Sequence, residues 1–592
     1  MKTLFSLVCL LCYSIAFSQS IPEQWLTYYE KSGLKKTPRY AETMEYCRKL
    51  EKNSPWIKVT SFGKSPEGRD LPLVIVSKEK VFDPMKAAKT NKAIVLIQNG
   101  IHAGEIDGKD ACLMLLRDIA IMKTKASLLD HVILLILPIY NVDGHERFNP
   151  YNRINQDGPD EMGWRVTAQN LNLNRDYLKA DAPETQAWLK IYTAWLPDFF
   201  VDCHVTDGAD LQYSVTYAIE THENAPAPVR DWIKRQFLPS IITKMEATKH
   251  KLGPYPFFVD DKDKSKGLAG SVAPPRFSTG YTVLQNRPGF LIETHMLKDY
   301  ATRVDATYEL LRSILETVNA DHQSLRQAVR ASDEEARKGF ENSFPIKFDM
   351  TNKSSETVHF FGYKQKIEKS DISGGDWIVY SKEPFEADIP RYDESKTTKS
   401  VVPPKAYLIP QQWSTVISRL KMHGVKLERL KSSAELDIES YRFSNVKFQQ
   451  NPFEGHHPVS YSVETVKEKR AFPAGTVVVK LNQRAARVAI NALEPEAPDA
   501  FVAWGFFDAI FEQKEYAEDY VMEKVAREMI AKDPQLKAEF ESKVQADTAF
   551  ANNPGARLNF FYQHSPYWDH QVNLYPIARM MQDEVLKTES FK

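Results

Sequence analysis

AIVLIQ at residues 93–98, followed by NGIHAGE at 99–105, predicts a buried strand that ends in a glycine-bearing turn. Aliphatic and β-branched residues fill the first segment, which favours a strand covered on both faces. A long apolar pattern with helical spacing follows at residues 110–122. A buried strand followed by a helix is the repeating unit of parallel α/β sheets.

The same pattern recurs along the first part of the chain. Three more continuous apolar runs lie at residues 131–137, 199–203 and 289–292, and helical patterns lie at 183–195 and 300–338. Continuous apolar strands that alternate with helices indicate a sheet with helices on both faces. We therefore predict an α/β fold around a largely parallel sheet.

Polar residues that bind metals or protons stand at the ends of these predicted strands. His102 and Glu105 follow the first strand, His204 follows residues 199–203, and Glu293 follows residues 289–292. In open α/β sheets, functional groups gather at the carboxyl ends of the strands. Zinc in hydrolytic sites commonly takes three protein ligands and keeps one position for water. We therefore predict a zinc site for one ion at His102, Glu105 and His204.

Glu293 is the fourth residue of this set. A carboxylate beside the metal can take a proton from water and later pass it to a leaving amine. Its approach through Phe290, Leu291 and Ile292 is apolar, which raises the pKa of a carboxyl group, whereas a nearby cation lowers it. The sequence thus predicts Glu293 as a catalytic residue.

A second informative stretch is NLNLNRDY at residues 170–177. The guanidinium of Arg175 offers a planar, two-pronged donor for a carboxylate. The neighbouring Asn174 can donate a further hydrogen bond. The pair is common when taken alone and gains meaning only beside the metal motif.

Six motifs occur in a fixed order along residues 35 to 330, and together they resemble the M14 family of zinc carboxypeptidases. They are residues 100–105 (GIHAGE), 141–144 (NVDG), 163–165 (GWR), 174–175 (NR), His204 on its strand, and 290–293 (FLIE). The resemblance implies an eight-stranded mixed α/β fold with one zinc ion bound by His102, Glu105 and His204. It also implies that Glu293 acts first as general base and then as general acid.

Further residues receive roles from the resemblance alone. Arg165 looks like the arginine that stabilises the oxyanion of the scissile carbonyl. Asn174 and Arg175 look like the pair that binds the C-terminal carboxylate of the substrate. Tyr281 is the nearest candidate for the mobile tyrosine of the family, but it stands closer to Glu293 than the family spacing. It either swings into the site or packs within a long loop expected at about residues 251–280.

Composition and charge limit which partners and which stabilising cross-links the sequence supports. The chain has 592 residues, 43% of them hydrophobic, and 77 basic against 78 acidic residues give a net charge of −1. This balance gives no support to nucleic acid or an anionic membrane surface as a partner. After residue 18 only Cys47, Cys112 and Cys203 remain, a sparse, odd count that argues against a disulfide framework.

The N-terminus predicts export. Lys2, an apolar core from Leu4 to Phe17 and small residues at 16 and 18 form a signal peptide, residues 1–18, with cleavage after Ser18. The run is too short for a transmembrane span. A lipid anchor at Cys12 is disfavoured, because Leu11 stands where a small residue is expected. We expect a secreted or periplasmic protein.

The pattern of predicted strands and helices in the sequence changes near residue 340. We predict a catalytic domain at residues 19–338 and a mixed α+β C-terminal region at 339–592, whose role the sequence does not define. A charged, proline-bearing segment at 383–405 is interpreted as an extended linker that divides this region into two subdomains.

The primary hypothesis is a secreted zinc metallopeptidase that acts on peptide or protein substrates, with a metallocarboxypeptidase favoured by the Asn174–Arg175 pair. Two alternatives stay open. One is a zinc amidase or deacylase that acts on N-acyl amino acids or cell-wall peptides. The other is a glycan- or protein-binding protein that carries an accessory peptidase-like domain. The oligomeric state and the preferred side chain stay open as well.

Overall fold

The computed structural model describes residues 21–591 of the chain. The expected signal peptide, residues 1–18, lies outside these described residues. Within them, no helix is both long enough and apolar enough to cross a membrane.

A mixed eight-stranded sheet forms the centre of the first part of the chain, as predicted. Its strand order is β1-β2-β4-β3-β5-β10-β6-β7. The four central strands β4, β3, β5 and β10 are parallel, whereas β1, β2 and β6 pair antiparallel with their inner neighbours. The bounds are β1 Ile57–Lys64, β2 Asp70–Val76, β3 Ala93–Asn99, β4 Val132–Leu137, β5 Phe199–Val205, β6 Val215–Ile219, β7 Leu252–Pro254 and β10 Gly289–Thr294.

Both faces of this sheet are buried, which explains the continuous apolar runs. Successive side chains of a strand point to opposite faces, so that Ile94 and Leu96 of β3 join one core cluster while Val95 and Ile97 join the other. Gly108, near the start of the helix after β3, packs so tightly that a Cβ would lie 2.6 Å from the Cβ of Cys203. This close packing fixes the helix against β3 and β5.

Helices cover the two faces. One cluster joins the sheet to α4, α7 and the long pair α10–α11, and the other joins it to α6. The helices up to residue 338 are α1 Tyr28–Lys31, α2 Tyr40–Asn53, α3 Pro84–Ala87, α4 Asp107–Ala120, α5 Val142–Glu146, α6 Pro183–Trp195, α7 Ala227–Trp232, α8 Leu238–Glu246, α9 Ser278–Leu284, α10 Tyr300–Ala320 and α11 His322–Lys338.

The segment before β10 carries two short strands, β8 Phe257–Phe258 and β9 Leu268–Ala269, where the sequence predicted only a long loop. These strands pair with a long hairpin of the C-terminal region, β12 Glu356–Lys369 and β13 Asp376–Tyr392, in the order β12-β13-β9-β8. A two-stranded sheet, β11 Phe344–Met350 with β14 Ser395–Val401, lies beside it in sequence.

The interpretation of residues 383–405 as an extended linker is wrong for most of its length. Residues 383–392 continue β13, and residues 395–401 form β14. The charged side chains that suggested a linker alternate with less exposed ones along these strands, as expected for a sheet with one solvent-facing side.

The remainder of the chain forms a seven-stranded sheet in the order β18-β17-β20-β15-β19-β16-β21 and a set of helices. Its helices α12 and α13 share a core cluster with α6, so this region packs against the first part of the chain. The bounds are β15 Ala406–Ile409, α12 Ser414–Met422, β16 Glu428–Leu430, β17 Ala434–Phe448, β18 Val459–Phe472, β19 Val477–Lys480, α13 Ala486–Leu493, α14 Asp519–Lys532, α15 Pro534–Ala546, α16 Thr548–Ala551, α17 Pro554–Gln563, β20 Ala578–Met580 and β21 Thr588–Ser590.

Candidate active site

Three side chains from two strand ends meet in a small triangle. The Nδ1 atoms of His102 and His204 lie 3.2 Å apart, and each lies 3.1 Å from Oε2 of Glu105. His102 and Glu105 share the turn after β3, where Gly100 adopts a positive φ of 64° and the Glu105 amide donates to the His102 carbonyl at 2.9 Å. His204 is the sixth residue of β5, the strand next to β3. All three side chains are buried.

The triangle has the dimensions of a zinc site. Ligand atoms about 2.0–2.1 Å from a tetrahedral zinc ion lie about 3.3 Å from one another, close to the separations of these three atoms. Two imidazole nitrogens and a carboxylate oxygen at such distances repel one another unless a cation or proton lies among them. The residues therefore fit a single divalent ion.

Neighbouring polar groups orient both histidines. Nε2 of His102 lies 3.1 Å from Oδ1 of Asn172, and Nε2 of His204 lies 3.0 Å from Oδ2 of Asp202. A proton on Nε2 of His102, donated to Asn172, and one on Nε2 of His204, favoured by the nearby Asp202 carboxylate, would leave the Nδ1 lone pairs aimed into the triangle. No sequence signal marked Asn172 or Asp202 as functional, although Asp202 stands two residues before His204 and thus on the same face of β5.

Two arginines hold the outer oxygen of Glu105. Nη2 of Arg153 lies 2.8 Å from Oε1, and Nη1 of Arg165 donates to the same oxygen at 3.1 Å. Burial raises the pKa of Glu105, but His102 and Arg153 outweigh it and hold this pKa well below its ordinary value. Arg165, half-exposed, also lines the cavity that opens beside the triangle. Arg153 was missed, because it lies in an irregular loop without a periodic pattern.

Glu293 lies beside the triangle at the same level of the sheet. It pairs in register with His204 across the parallel strands β5 and β10. Its carboxylate is buried and lines the cavity. Burial raises the pKa of Glu293, and the charge of Glu105 adds to this effect, whereas His204 lowers it. A carboxyl group with a raised pKa is a better proton acceptor than an ordinary glutamate.

Asn174 and Arg175 line the same cavity. Both belong to a short turn, residues 173–175, whose neighbour Asn172 contacts His102. The Arg175 guanidinium stacks over the Phe277 ring at 4.3 Å and donates to the Asn174 carbonyl at 2.7 Å. Among the ion pairs of residues 21–591 none involves Arg175, so its charge is available to an anionic ligand.

The structure does not bring Tyr281 to the cavity. The side chain lies in the core on α9, fully buried, and its hydroxyl donates to Nδ1 of His423 at 2.8 Å and accepts from Nε2 of Gln285 at 2.6 Å. Its ring stacks on Tyr177. Of the two alternatives for Tyr281, the described position is the packed one: the α9 backbone turns this side chain towards the C-terminal region, and its contact with substrate stays a prediction.

Tyr255, which the sequence analysis did not single out, lines the cavity instead. It follows β7, and its hydroxyl donates to Oδ1 of Asp207 at 3.2 Å. Burial raises the pKa of Tyr255, and the nearby Glu293 and Asp207 carboxylates add to this effect, so the phenol stays protonated. The only sequence signal was an aromatic residue in the segment expected to cover the site.

Comparison with known proteins gives matches to one family. Residues 43–240 match the profile of the family described as zinc carboxypeptidase, Peptidase_M14. The chain is 26% identical over 484 residues to a protein of Trichophyton rubrum named carboxypeptidase 2, covering 79% of this chain and 84% of the relative. A probable carboxypeptidase 2 of Arthroderma benhamiae is 26% identical over 478 residues, covering 78% and 85%.

Two solved structures are among those that the chain partly matches. A metallo-carboxypeptidase from Burkholderia cenocepacia is 19% identical with a TM-score of 0.36, covering 48% of this chain and 69% of the other. A carboxypeptidase A from Helicoverpa armigera is 17% identical with a TM-score of 0.34, covering 50% and 75%.

The triangle, the cavity and the family match together define a metallopeptidase. The matched segment, residues 43–240, is similar to the M14 zinc carboxypeptidases, the family that the sequence motifs resemble.

Proposed function

We propose that the protein is a zinc-dependent metallocarboxypeptidase that removes single residues from the C-termini of peptides. The observation that carries this proposal is that Asn174 and Arg175 line the same cavity as the three candidate metal ligands. An unpaired guanidinium in such a place suits a substrate carboxylate. An endopeptidase has no need for it.

His102, Glu105 and His204 would hold the zinc ion. When bound, zinc supplies a Lewis acid that polarises the scissile carbonyl and lowers the pKa of water. Asn172 and Asp202 keep the two imidazoles in the tautomer that presents Nδ1.

Glu293 is proposed as the proton carrier. Its carboxylate takes the proton of the attacking water at the start of the reaction, and the same carboxyl group then gives this proton to the leaving amine. Its position level with His204 in the sheet supports this role. Arg165 is proposed to stabilise the negative charge that develops on the carbonyl oxygen.

Two proposals concern the rest of the chain. We propose that residues 1–18 are a signal peptide, so that the enzyme is secreted or periplasmic. We also propose that residues 19–338 form the catalytic domain and residues 339–592 a C-terminal region that works with it.

The test uses the purified mature chain and matched peptides with a free or an amidated C-terminus. We expect release of the terminal amino acid from the free peptide only, with loss of activity in a chelator and recovery on adding zinc. Mass spectrometry of the products identifies the bond that is cut. Cleavage that does not depend on the free carboxylate, or turnover that survives the chelator, would contradict the proposal, and release of an acyl group would favour the amidase alternative.

A further inference from the structure

The end of the cavity remote from the candidate metal ligands is built from two distant parts of the chain. Glu220 and His222 follow β6 of the central sheet, whereas Arg391 lies at the end of β13 in the C-terminal region and Asp393 directly follows that strand. All four residues line the cavity, whose volume is about 550 Å³.

A direct backbone connection holds β13 in this place. Arg391 and Tyr392 pair in parallel with Leu268 and Ala269 of β9, and the Gly270 amide donates to the Tyr392 carbonyl at 2.7 Å. At Gly270 a Cβ would lie 2.0 Å from Oδ1 of Asp393. The absence of a side chain at Gly270 therefore leaves room for the Asp393 carboxylate at the cavity wall.

The four side chains form a continuous polar cluster, here called the cavity floor. Nε2 of His222 lies 3.0 Å from Oδ1 of Asp393, and Nδ1 lies 3.4 Å from Oε2 of Glu220. Nη2 of Arg391 lies 2.7 Å from the other oxygen of Asp393. The side chains of Glu220 and His222 are buried, whereas that of Asp393 is 12% exposed and that of Arg391 is 24% exposed. The imidazole therefore bridges the catalytic part of the chain and the C-terminal hairpin.

The floor lies further along β6 than the level of Glu293. Thr216 of β6 is opposite Glu293, and Ala218 is opposite Leu291. Glu220 follows four residues after Thr216, which places it about 13 Å further along the strand direction at 3.2–3.4 Å per residue. Ala218 and Leu291 line the intervening wall, so an apolar passage leads from the candidate catalytic group to a polar end.

The charges of the floor cancel one another. Although burial lowers it, the hydrogen bonds to Asp393 and Glu220 raise the pKa of His222 to about 9, so the imidazole is cationic at neutral pH. Two carboxylates then face one imidazolium and one guanidinium. Arg391 also pairs at 2.7 Å with Glu356, which is half-exposed and screened by solvent. A charged side chain that enters finds no free counter-ion, and burying an unpaired charge is costly.

We propose that the cavity floor receives the side chain of the substrate's C-terminal residue, that Arg391 and Asp393 are specificity-determining residues supplied by the C-terminal region, and that the pocket selects uncharged side chains. This inference rests on the proposed carboxypeptidase function. It gives residues 339–592 a part in substrate choice rather than in the chemistry.

The test compares peptides that differ only in a C-terminal Phe, Lys or Glu, measured as ratios of kcat/KM at about pH 6, below the ordinary pKa of imidazole. The wild type is expected to prefer Phe. His222→Gln and Arg391→Gln each leave the floor with one excess negative charge and are expected to raise the Lys-to-Phe ratio by about tenfold or more. Asp393→Asn leaves an excess positive charge and is expected to raise the Glu-to-Phe ratio instead.

A matched control uses a second histidine–aspartate pair of the same geometry. Nε2 of His250 lies 3.0 Å from Oδ2 of Asp305, and neither residue lines the cavity. His250→Gln and Asp305→Asn make the same chemical changes and should leave both ratios as in the wild type. Zinc content and the melting temperature of each variant show that the chain is folded and loaded.

The outcomes separate this inference from the proposed function. If the wild type releases no C-terminal residue from any peptide, the carboxypeptidase proposal fails. If it releases them but the folded floor variants keep the wild-type ratios, the enzyme is a carboxypeptidase and the floor does not contact the side chain. A wild type that prefers Lys or Glu over Phe also overturns the inference. Should one variant fail to fold, the other two still test the inference. Each has an expected shift of its own, and wild-type ratios in both would contradict the inference.

Discussion

Replacing Tyr281 by phenylalanine separates a structural tyrosine from an active-site one. The hydroxyl donates to Nδ1 of His423, whose Nε2 donates to the Leu178 carbonyl at 2.8 Å, and it accepts from Gln285. Tyr281→Phe therefore leaves one buried acceptor and one buried donor without partners. At about 1–3 kcal/mol for each of the two unsatisfied buried groups, the free energy of unfolding should fall by about 2–6 kcal/mol. The loss falls in the lower half of this range if the Gln285 side-chain amide keeps its second hydrogen bond, which it donates to the His423 carbonyl at 3.1 Å.

The assay combines urea unfolding with peptide hydrolysis. We expect a lower urea midpoint and melting temperature for Tyr281→Phe, with kcat and KM of the folded enzyme unchanged. Tyr255→Phe is the matched control, because it removes the same atom from a residue that lines the cavity. For that variant we expect a small change in stability and a loss in kcat/KM.

The opposite pattern would refute the reasoning. A Tyr281→Phe enzyme with normal stability and reduced kcat/KM means that this side chain reaches the substrate during turnover. The buried hydroxyl contacts with His423 and Gln285 would then belong to a resting conformation only, and α9 would have to move during catalysis.

Four further predictions follow from the site. A chelator should abolish activity and lower the melting temperature, and added zinc should restore both, since a bound ion stabilises only the folded state; unchanged melting argues against a bound ion. Glu293→Gln should keep its zinc and lose about 10²–10⁴-fold in kcat/KM, so normal turnover excludes Glu293 as the base. Arg175→Lys should lose about tenfold or more in kcat/KM on free C-termini, because lysine lacks the two-pronged donor; an equal loss on amidated peptides contradicts a carboxylate contact. The folded protein gains stability from the raised pKa of His222, which is about 9 against 6.5 for an unperturbed histidine. This gain, about 3 kcal/mol, is complete below about pH 6.5 and is lost as the pH rises through 9, so the stability difference between wild type and His222→Gln should shrink over this range.

The centre of the fold could be predicted because burial leaves a strong mark on sequence. Strands covered on both faces must be apolar along their whole length, so β3, β4, β5 and β10 stand out. His102, Glu105, His204 and Glu293 could be found by the same reasoning, because each interrupts or ends such a run. The structure brings the first three within hydrogen-bonding distance of one another and sets Glu293 beside His204.

Contacts between segments that are distant in the chain leave no recognisable pattern in the sequence. The position of Tyr281 depends on His423, which lies 142 residues away in sequence, and spacing to Glu293 gives no information about that contact. His222 and Asp393 are separated by 171 residues. Their pairing depends on how β13 docks on β9, which neither periodicity nor composition predicts.

The error at residues 383–405 has a related cause. An exposed strand of a long hairpin carries charges on its solvent side, and the prolines within it suggested a break in structure. Pro384 nevertheless lies within β13, opposite Tyr363, at an irregularity in the pairing with β12. Such a position tolerates proline, since a disrupted ladder requires fewer backbone donors.

The parallel pairing of β9 with β13 has a consequence for engineering and for evolution. One wall of the cavity is encoded nearly three hundred residues away from His102 and Glu105 and about a hundred from Glu293, on a strand that carries none of the reacting groups. Libraries of variants confined to the end of β13 can therefore change the shape and charge of that wall while the reacting groups keep their positions. By the same argument, a chimera that joins the first part of this chain to a foreign C-terminal region would inherit an open cavity.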